Sequence, residues 1–347
     1  MKSNRTFLSD HNEQQSGFEV AQRRTEALWP GIASDLGFPA AGAKFRRMQV
    51  NRKREGQSCV LRVSLLDGRE FVLRADFSES YLGQYQVNLK RHQIAAETLK
   101  RTAGASVPQV LWHDSQRKFM LMELAPGETA FQALNLAGFG LGNRSQLLTR
   151  IGAAIAALHC CSTAEEQDFW PKRQLEKVSR IASSVRGGEL TILKPKRFLG
   201  LCAYLHRAGR RARGVRFQPG FVHGDLHFRN ILISEELVSF VDFSSQRFPI
   251  AEHDIANLWL ANGLDHLAAS SRYAGFGGVS KADWDAFEAG YGRQLTREPL
   301  FQFCFALRLW ESWIRYSASG LAEGDKGQRQ RELLVQVLNQ FLEQEPD

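Results

Sequence analysis

"GFVHGDLHFRNILISEELVSFVDFSSQ", residues 220–246, sets two short apolar runs among an unusual density of polar residues. Phe221 and Val222 lead into His223, Gly224 and Asp225. Asn230 opens the run Ile231, Leu232, Ile233, and after a turn Val238 to Val241 form a second run that Asp242 ends. Two such runs around a polar turn predict a short β-hairpin. Asn230 stands five positions after Asp225 and Asp242 seventeen, so one strand, one loop and one hairpin suffice to bring all three together. Turn chemistry is the competing reading, because Asp and Asn commonly cap loops. As a set, however, they match what phosphoryl transfer needs. One carboxylate orients a hydroxyl and takes its proton, while an amide oxygen and a second carboxylate hold Mg²⁺, a hard cation that prefers oxygen.

Upstream, strand signals dominate. Lys44 to Gln49 is a candidate strand, Cys59 to Leu65 alternates apolar with polar residues, Asp67-Gly68 marks a hairpin turn, and Phe71 to Ala75 returns. Residues 85 to 103 are predicted helical, closed by Gly104 and Val107-Pro108. Strands follow at Val110 to His113 and Lys118 to Leu124, before a break at Pro126-Gly127. Ahead of them, residues 1 to 16 are expected to be loosely attached and residues 17 to 29 to form a short helix stopped by Pro30-Gly31. Downstream the pattern is helical: 145 to 160, two or three Lys- and Arg-rich helices in 163 to 216, then Ala251 to Asn262, Lys281 to Tyr291, Leu300 to Tyr316 and Arg329 to Gln344. This order predicts an α+β protein of two lobes. Its parts are an N-terminal extension and helix (1–36), a small antiparallel-sheet lobe (37–125) and a mainly helical lobe (126–347).

The totals narrow the classes. A chain of 347 residues exceeds one small core. A formal charge of +8 favours anionic partners over a polycationic one. Five cysteines without a CxxC pair argue against a disulfide framework and a zinc site. No apolar leader and no run of about 18 apolar residues occur, so a cytoplasmic protein without a membrane span is expected, peripheral membrane contact staying open. The run "HRAGRRARGVR" (206–216) reads as a solvated helix end or as a patch for an anionic acceptor. Without aromatic interleaving it does not argue for nucleic acid.

"HGDLHFRN" followed by "VDF" resembles the catalytic and metal-binding motifs of the aminoglycoside phosphotransferase and choline kinase-like family, which shares the two-lobed protein-kinase-like fold. "VPQVLWHD" with "FMLMELAPGETA" is similar to that family's small-lobe strands and hinge, "IAALH" to the helix before the catalytic loop, and "HDIANLWL" to the acidic segment after the metal Asp. Roughly residues 43 to 262 follow the family's order. The resemblance implies that Asp225 is the catalytic base, that Asn230 and Asp242 ligate Mg²⁺, and that His223 and Gly224 shape the loop. It also implies that Asp254 braces the loop through backbone N–H groups and that the backbone of Glu123, Leu124 and Ala125 meets adenine. His227 reads equally as a neighbour of the transferred phosphate and as a loop-stabilising residue. His159 and Trp112 read as packing residues.

The sequence also departs from the kinase pattern. Where a phosphate-holding Lys is usual, "FVLRADF" places Arg74, which keeps the charge in a planar fork. Its helix partner is either Glu97 or His92; five residues apart, these lie about 140° around a helix and cannot both face one site. No GxGxxG occurs, and the first hairpin instead carries Arg52, Lys53, Arg54 and a lone Gly56. Asp242 precedes Phe243-Ser244 rather than Phe-Gly, and no Ala-Pro-Glu follows, which disfavours a protein kinase. The expectation is therefore an ATP- and Mg-dependent phosphotransferase acting on a hydroxyl of a small molecule. The acceptor is a sugar, phosphosugar, amino alcohol or lipid-linked compound, with the charge leaning away from an aminoglycoside. The alternative, motivated by Arg74 and the missing glycine loop, is a nucleotide-binding pseudokinase acting as a scaffold. The oligomeric state stays open.

Overall fold

The computed structural model describes residues 17–49, 57–79, 81–161, 164–244, 250–261, 274–318, 332 and 334–339. The expected loose start (1–16), the basic hairpin loop (Arg52 to Gly56) and most of the predicted Arg329 to Gln344 helix lie outside them. In chain order the elements begin with helix α1 (17–26), α2 (Trp29–Leu36), β1 (Lys44–Gln49), β2 (Ser58–Ser64), β3 (Glu70–Asp76) and α3 (Leu82–Leu99). Then come β4 (Ala105–Ser106), β5 (Val110–His113), β6 (Lys118–Glu123), β7 (Glu128–Thr129), α4 (Ala130–Gly138) and α5 (Arg144–His159). The remainder are β8 (Gln167–Asp168), α6 (Lys172–Arg186), α7 (Pro195–Ala212), β9 (Arg216–Phe217), β10 (Ile231–Ile233), β11 (Val238–Phe240), α8 (Ala251–Ala261), α9 (Lys281–Tyr291) and α10 (Pro299–Ala318). The chain divides into two compact units: residues up to Lys100 with Val107–Pro126, and Arg101–Ser106 with those from Gly127 on.

The first unit is a five-stranded antiparallel sheet in the order β1-β2-β3-β6-β5. In β2 and β3 every second residue is buried, which puts Leu61 opposite Leu73 and Val63 opposite Phe71 on one face. That face packs under Trp29 and Ile32 of α2 and Ala21 of α1. On the other face Val72, Met120 and Met122 meet Tyr85 and Leu89 of α3. The β2–β3 hairpin closes through Leu65 N–H to the Arg69 carbonyl (2.9 Å) with Gly68 at φ 86°.

Pro30-Gly31 opens a helix rather than stopping one. Pro30 sits in the first turn of α2, where a missing N–H costs nothing, and the helix ends at Gly37 (φ 67°).

The second unit holds the four-stranded sheet β4-β11-β10-β7, a β8–β9 ribbon and helices α4 to α10. Between residues 164 and 216 the helices are two, α6 and α7, flanked by β8 and β9. Helix α4 carries a signal the sequence reading passed over: Thr129 and Gln132 form a reciprocal capping box. Helices α5 and α9 pack at glycines. A methyl at Gly152 would lie 2.3 Å from the Phe287 carbonyl oxygen and one at Gly290 1.9 Å from that of Thr149. Trp259, Trp284, Phe287 and Phe301, from α8, α9 and α10, form a buried aromatic core. Among the described residues no helix is long and apolar enough to cross a membrane.

Candidate active site

The hairpin of β10 and β11 decides the geometry. Ile231 pairs with Phe240 and Ile233 with Val238, and the ladder continues as Val241 N–H donates to the Asn230 carbonyl (3.1 Å). Asn230 and Asp242 therefore sit at the same end of the hairpin. Asp242 is exposed and at φ 68°, a left-handed conformation that Asp tolerates better than most residues.

The preceding loop docks onto that end. Ser244 N–H donates to the His223 carbonyl (2.9 Å), and Gly224 at φ 88° leaves no room for a side chain, since a Cβ would lie 2.0 Å from the Ser244 carbonyl oxygen. The His223 ring is fully buried and stacks on Phe243. Its Nδ1 accepts from Asp225 N–H (3.3 Å), so Nε2 carries the proton and donates to the Val241 carbonyl (2.9 Å). Burial holds His223 below the usual histidine range, against the pull of Asp254, Asp242 and Asp225. It is a neutral strut between loop and hairpin.

The fully buried Asp254 lies in the first turn of α8. It accepts Gly224 N–H (3.1 Å) and the N–H of His223. Burial alone would raise its pKa, but His159, His223 and these bonds hold it below the usual carboxylate range. Asn230 donates through Nδ2 to the Asp225 carbonyl (3.0 Å), and Asn257 of α8 donates to the Leu226 carbonyl (2.8 Å). The loop backbone is thus tied from three sides while the Asp225 side chain itself remains more than half exposed. His227 Nε2 stands 3.9 Å from Asp225 Oδ2, beyond hydrogen-bond range.

His159 and Tyr291 belong to this assembly in a way the sequence reading did not anticipate. His159 Nδ1 is 2.9 Å from the Tyr291 hydroxyl and its Nε2 is 3.5 Å from Asp254 Oδ2. Trp112 does pack, against the core under α2, and it also donates to Asp35 (2.9 Å).

Arg74, Glu97, Glu123, Leu124 and Ala125 belong to the first unit. Arg74 points to the α3 side of the sheet, sharing a face with Val72. There it pulls against the burial that pushes the Tyr85 hydroxyl up to about 12. Of its two candidate helix partners, Glu97 is exposed, whereas His92 is buried with Nε2 2.7 Å from the Pro108 carbonyl. Glu123 ends β6, and its carboxylate accepts Gln109 N–H (2.9 Å). Leu124 and Ala125 are half-buried beyond it. In the basic run 206–216, Arg216 pairs with Glu166 (3.0 Å) and Arg213 lies over the Trp170 ring.

The donor set at the hairpin end fits a hard cation. The Asn230 amide, having donated through nitrogen, leaves its oxygen for a metal, and Asp242, at the same end of the hairpin, is exposed. Two oxygen ligands suit Mg²⁺, which is commonly completed by phosphates and water. Among the described residues no three or more His, Cys, Asp or Glu cluster as a metal site.

A family model described as the phosphotransferase enzyme family (APH) matches residues 40–293. No curated protein matches the chain in sequence. Among solved structures, the chain is similar to a macrolide 2′-phosphotransferase from Brachybacterium faecium (15% identity, 91% of this chain and 98% of that one, TM-score 0.55). It is similar also to a choline/ethanolamine kinase family protein from Mesorhizobium loti (14%, 94% and 96%, TM-score 0.55). A third is the ADP-bound aminoglycoside phosphotransferase APH(2″)-Ib (14%, 91% and 98%, TM-score 0.52). At these identities the likeness is one of fold.

Proposed function

The chain belongs to the phosphotransferase enzyme family, a small-molecule kinase acting on hydroxyl groups, and from that premise we propose that it moves the γ-phosphoryl group of ATP to a hydroxyl with Asp225 as base. The observation that carries this reading is the more than half-exposed Asp225 carboxylate on a loop whose backbone is tied at Gly224, Asp225 and Leu226. A rigid loop with one free carboxylate is a positioning device, and phosphoryl transfer depends chiefly on positioning and electrostatics.

In the step itself the acceptor oxygen forms a bond to the γ-phosphorus. The bond from that phosphorus to the β–γ bridging oxygen breaks, and the electron pair leaves with ADP. Asp225 takes the hydroxyl proton. Asn230 and Asp242 would hold Mg²⁺ through oxygen, and the ion would neutralise charge on the transferring phosphate. Arg74 contacts the nucleotide phosphates, and the backbone of Glu123, Leu124 and Ala125 meets the adenine edge. His223, Gly224 and Asp254 hold the loop against the hairpin, and His227 stands beside the base as a loop residue.

The test is Asp225→Asn. A positioned base contributes about 10²–10⁴-fold. Transfer from ATP in the presence of Mg²⁺ should fall by that much while the denaturation curve stays in place. Transfer at the wild-type rate in this variant sinks the assignment.

A further inference from the structure

The cavity bounded by α6, α8 and α10 bears on the acceptor. It measures about 410 Å³, and its polar lining is Arg173, Gln174 and Lys177 of α6, His253 of α8 and Glu311 of α10, with Phe303 on its apolar wall. Its charges do not balance. Glu311 is the one carboxylate in that lining, and it already faces an imidazole, an Arg and a Lys. His253 Nε2 lies 3.9 Å and Arg308 Nη1 3.6 Å from its Oε2, and Lys177 adds its field. Burial pushes the carboxyl up, yet those neighbours hold it below its ordinary range.

The polar atoms are also incompletely satisfied. Arg308 is mostly buried, and its Nε has no partner. His253 Nδ1 and Gln174 Oε1 are likewise buried without one. Buried polar groups nearly always find partners; of these three, His253 Nδ1 and Gln174 Oε1 belong to residues that line the cavity, and Arg308 stands behind the lining beside Glu311. Arg308 reaches the cavity wall through Glu311, 3.6 Å away. Burial and the neighbouring Arg315 lower its pKa, and the two carboxylates that act against this are Glu311, on the cavity wall, and Asp225. Lys177 is steadied over the Trp310 ring at 5.4 Å.

We propose that this cavity seats an acceptor that already carries a negatively charged group, a phosphate monoester or a carboxylate, bound by Arg308 and Lys177 with its hydroxyl directed to Asp225. The proposal rests on the phosphotransfer reading of Asp225. An anion supplies what the cavity lacks: the Arg fork matches phosphate or carboxylate in bidentate fashion, and the Lys adds a point charge. A polycationic acceptor meets the opposite, several protein cations and one neutralised carboxylate.

Binding and transfer are measured separately on the full chain. Glucose 6-phosphate and gluconate serve as anionic probes, with glucose as the neutral control and glucosamine as the cationic one. By calorimetry at least one anionic probe binds ten or more times tighter than glucose and glucosamine. Arg308→Gln weakens that probe tenfold or more, and Arg308→Lys recovers part of the loss. The more exposed Lys177→Gln, which carries no folding risk of the same kind, weakens it at least threefold. Which anion is preferred tells phosphate from carboxylate. Equal affinity for charged and neutral probes, or anion affinity indifferent to both Arg308→Gln and Lys177→Gln, overturns the proposal. If an anionic probe binds in this Arg308-dependent way but receives no phosphate from Mg-ATP, the cavity assignment stands and the phosphotransfer reading of Asp225 falls.

Discussion

At the scale of single residues the loop is held by groups that differ in how replaceable they are. Gly224 has no substitute. Its φ of 88° costs an L-residue about 1–2 kcal/mol, and a methyl would stand 2.0 Å from a carbonyl oxygen. Gly224→Ala should therefore lower the unfolding free energy by more than about 2 kcal/mol and remove transfer; a denaturant midpoint equal to wild type contradicts this. His223 acts through its protonation. Its pKa is lowered in the folded chain, so between that value and the unfolded value of about 6.5 the unfolded state binds more protons. Its contribution is complete above that unfolded value and is lost as pH falls through the window. Asp254, lowered from an unfolded value of about 3.9, loses its contribution only in more acid solution. Stability should thus fall between pH 7.5 and 5, and His223→Gln, which keeps an N–H for Val241, should flatten that fall. Parallel stability–pH curves for the two proteins rule out His223 as the source.

At the scale of elements the same residue type reverses its usual effect. Gly to Ala inside a helix ordinarily gains about 1 kcal/mol of stability. In α5 and α9 the glycines are where two backbones touch, with Thr149 Oγ1 also donating to the Ala286 carbonyl (3.0 Å). Gly152→Ala and Gly290→Ala should each lose about 1–3 kcal/mol, read from urea unfolding. A stabilised variant shows that the helices part without penalty. The pairing matters for the site because Tyr291, at the end of α9, and His159, at the end of α5, meet beside Asp254. Much at this scale was legible in advance. The strands β2 and β3 announced themselves by alternation, and the 145 to 160 helix by its apolar face. The sequence pointed the wrong way at α2 because Pro both ends and begins helices, and no capping side chain marks its start, where Leu28 stands.

At the scale of the whole molecule the expectations concern what it binds. If Asn230 and Asp242 hold Mg²⁺ with the nucleotide, the two ligands stabilise the fold together. At a hundred times the dissociation constant the gain is about 2.7 kcal/mol, which raises the melting temperature by a few degrees. That rise should appear with Mg-ATP, shrink when EDTA removes the metal, and be lost in Asp242→Asn. The same rise with ATP in EDTA removes the metal from the account. The formal charge of +8 favours anions in general, but it is the local arrangement of Arg308, Lys177 and Glu311 that turns this into a binding preference.

The motif "HGDLHFRN" with "VDF", the strand alternation before it and the helical pattern after it were enough to determine the fold class, the family resemblance and the candidate trio. They are local signals, carried by residues close in sequence and governed by backbone geometry and periodicity. Three things had to wait for tertiary structure. His159 and Tyr291 are 132 residues apart, and nothing in either segment names the other. Of His92 and Glu97, only packing could say which turns inward. The under-compensated Arg308 lies in a helix that reads simply as apolar, and a charge is costly or cheap only according to what surrounds it once water has been removed.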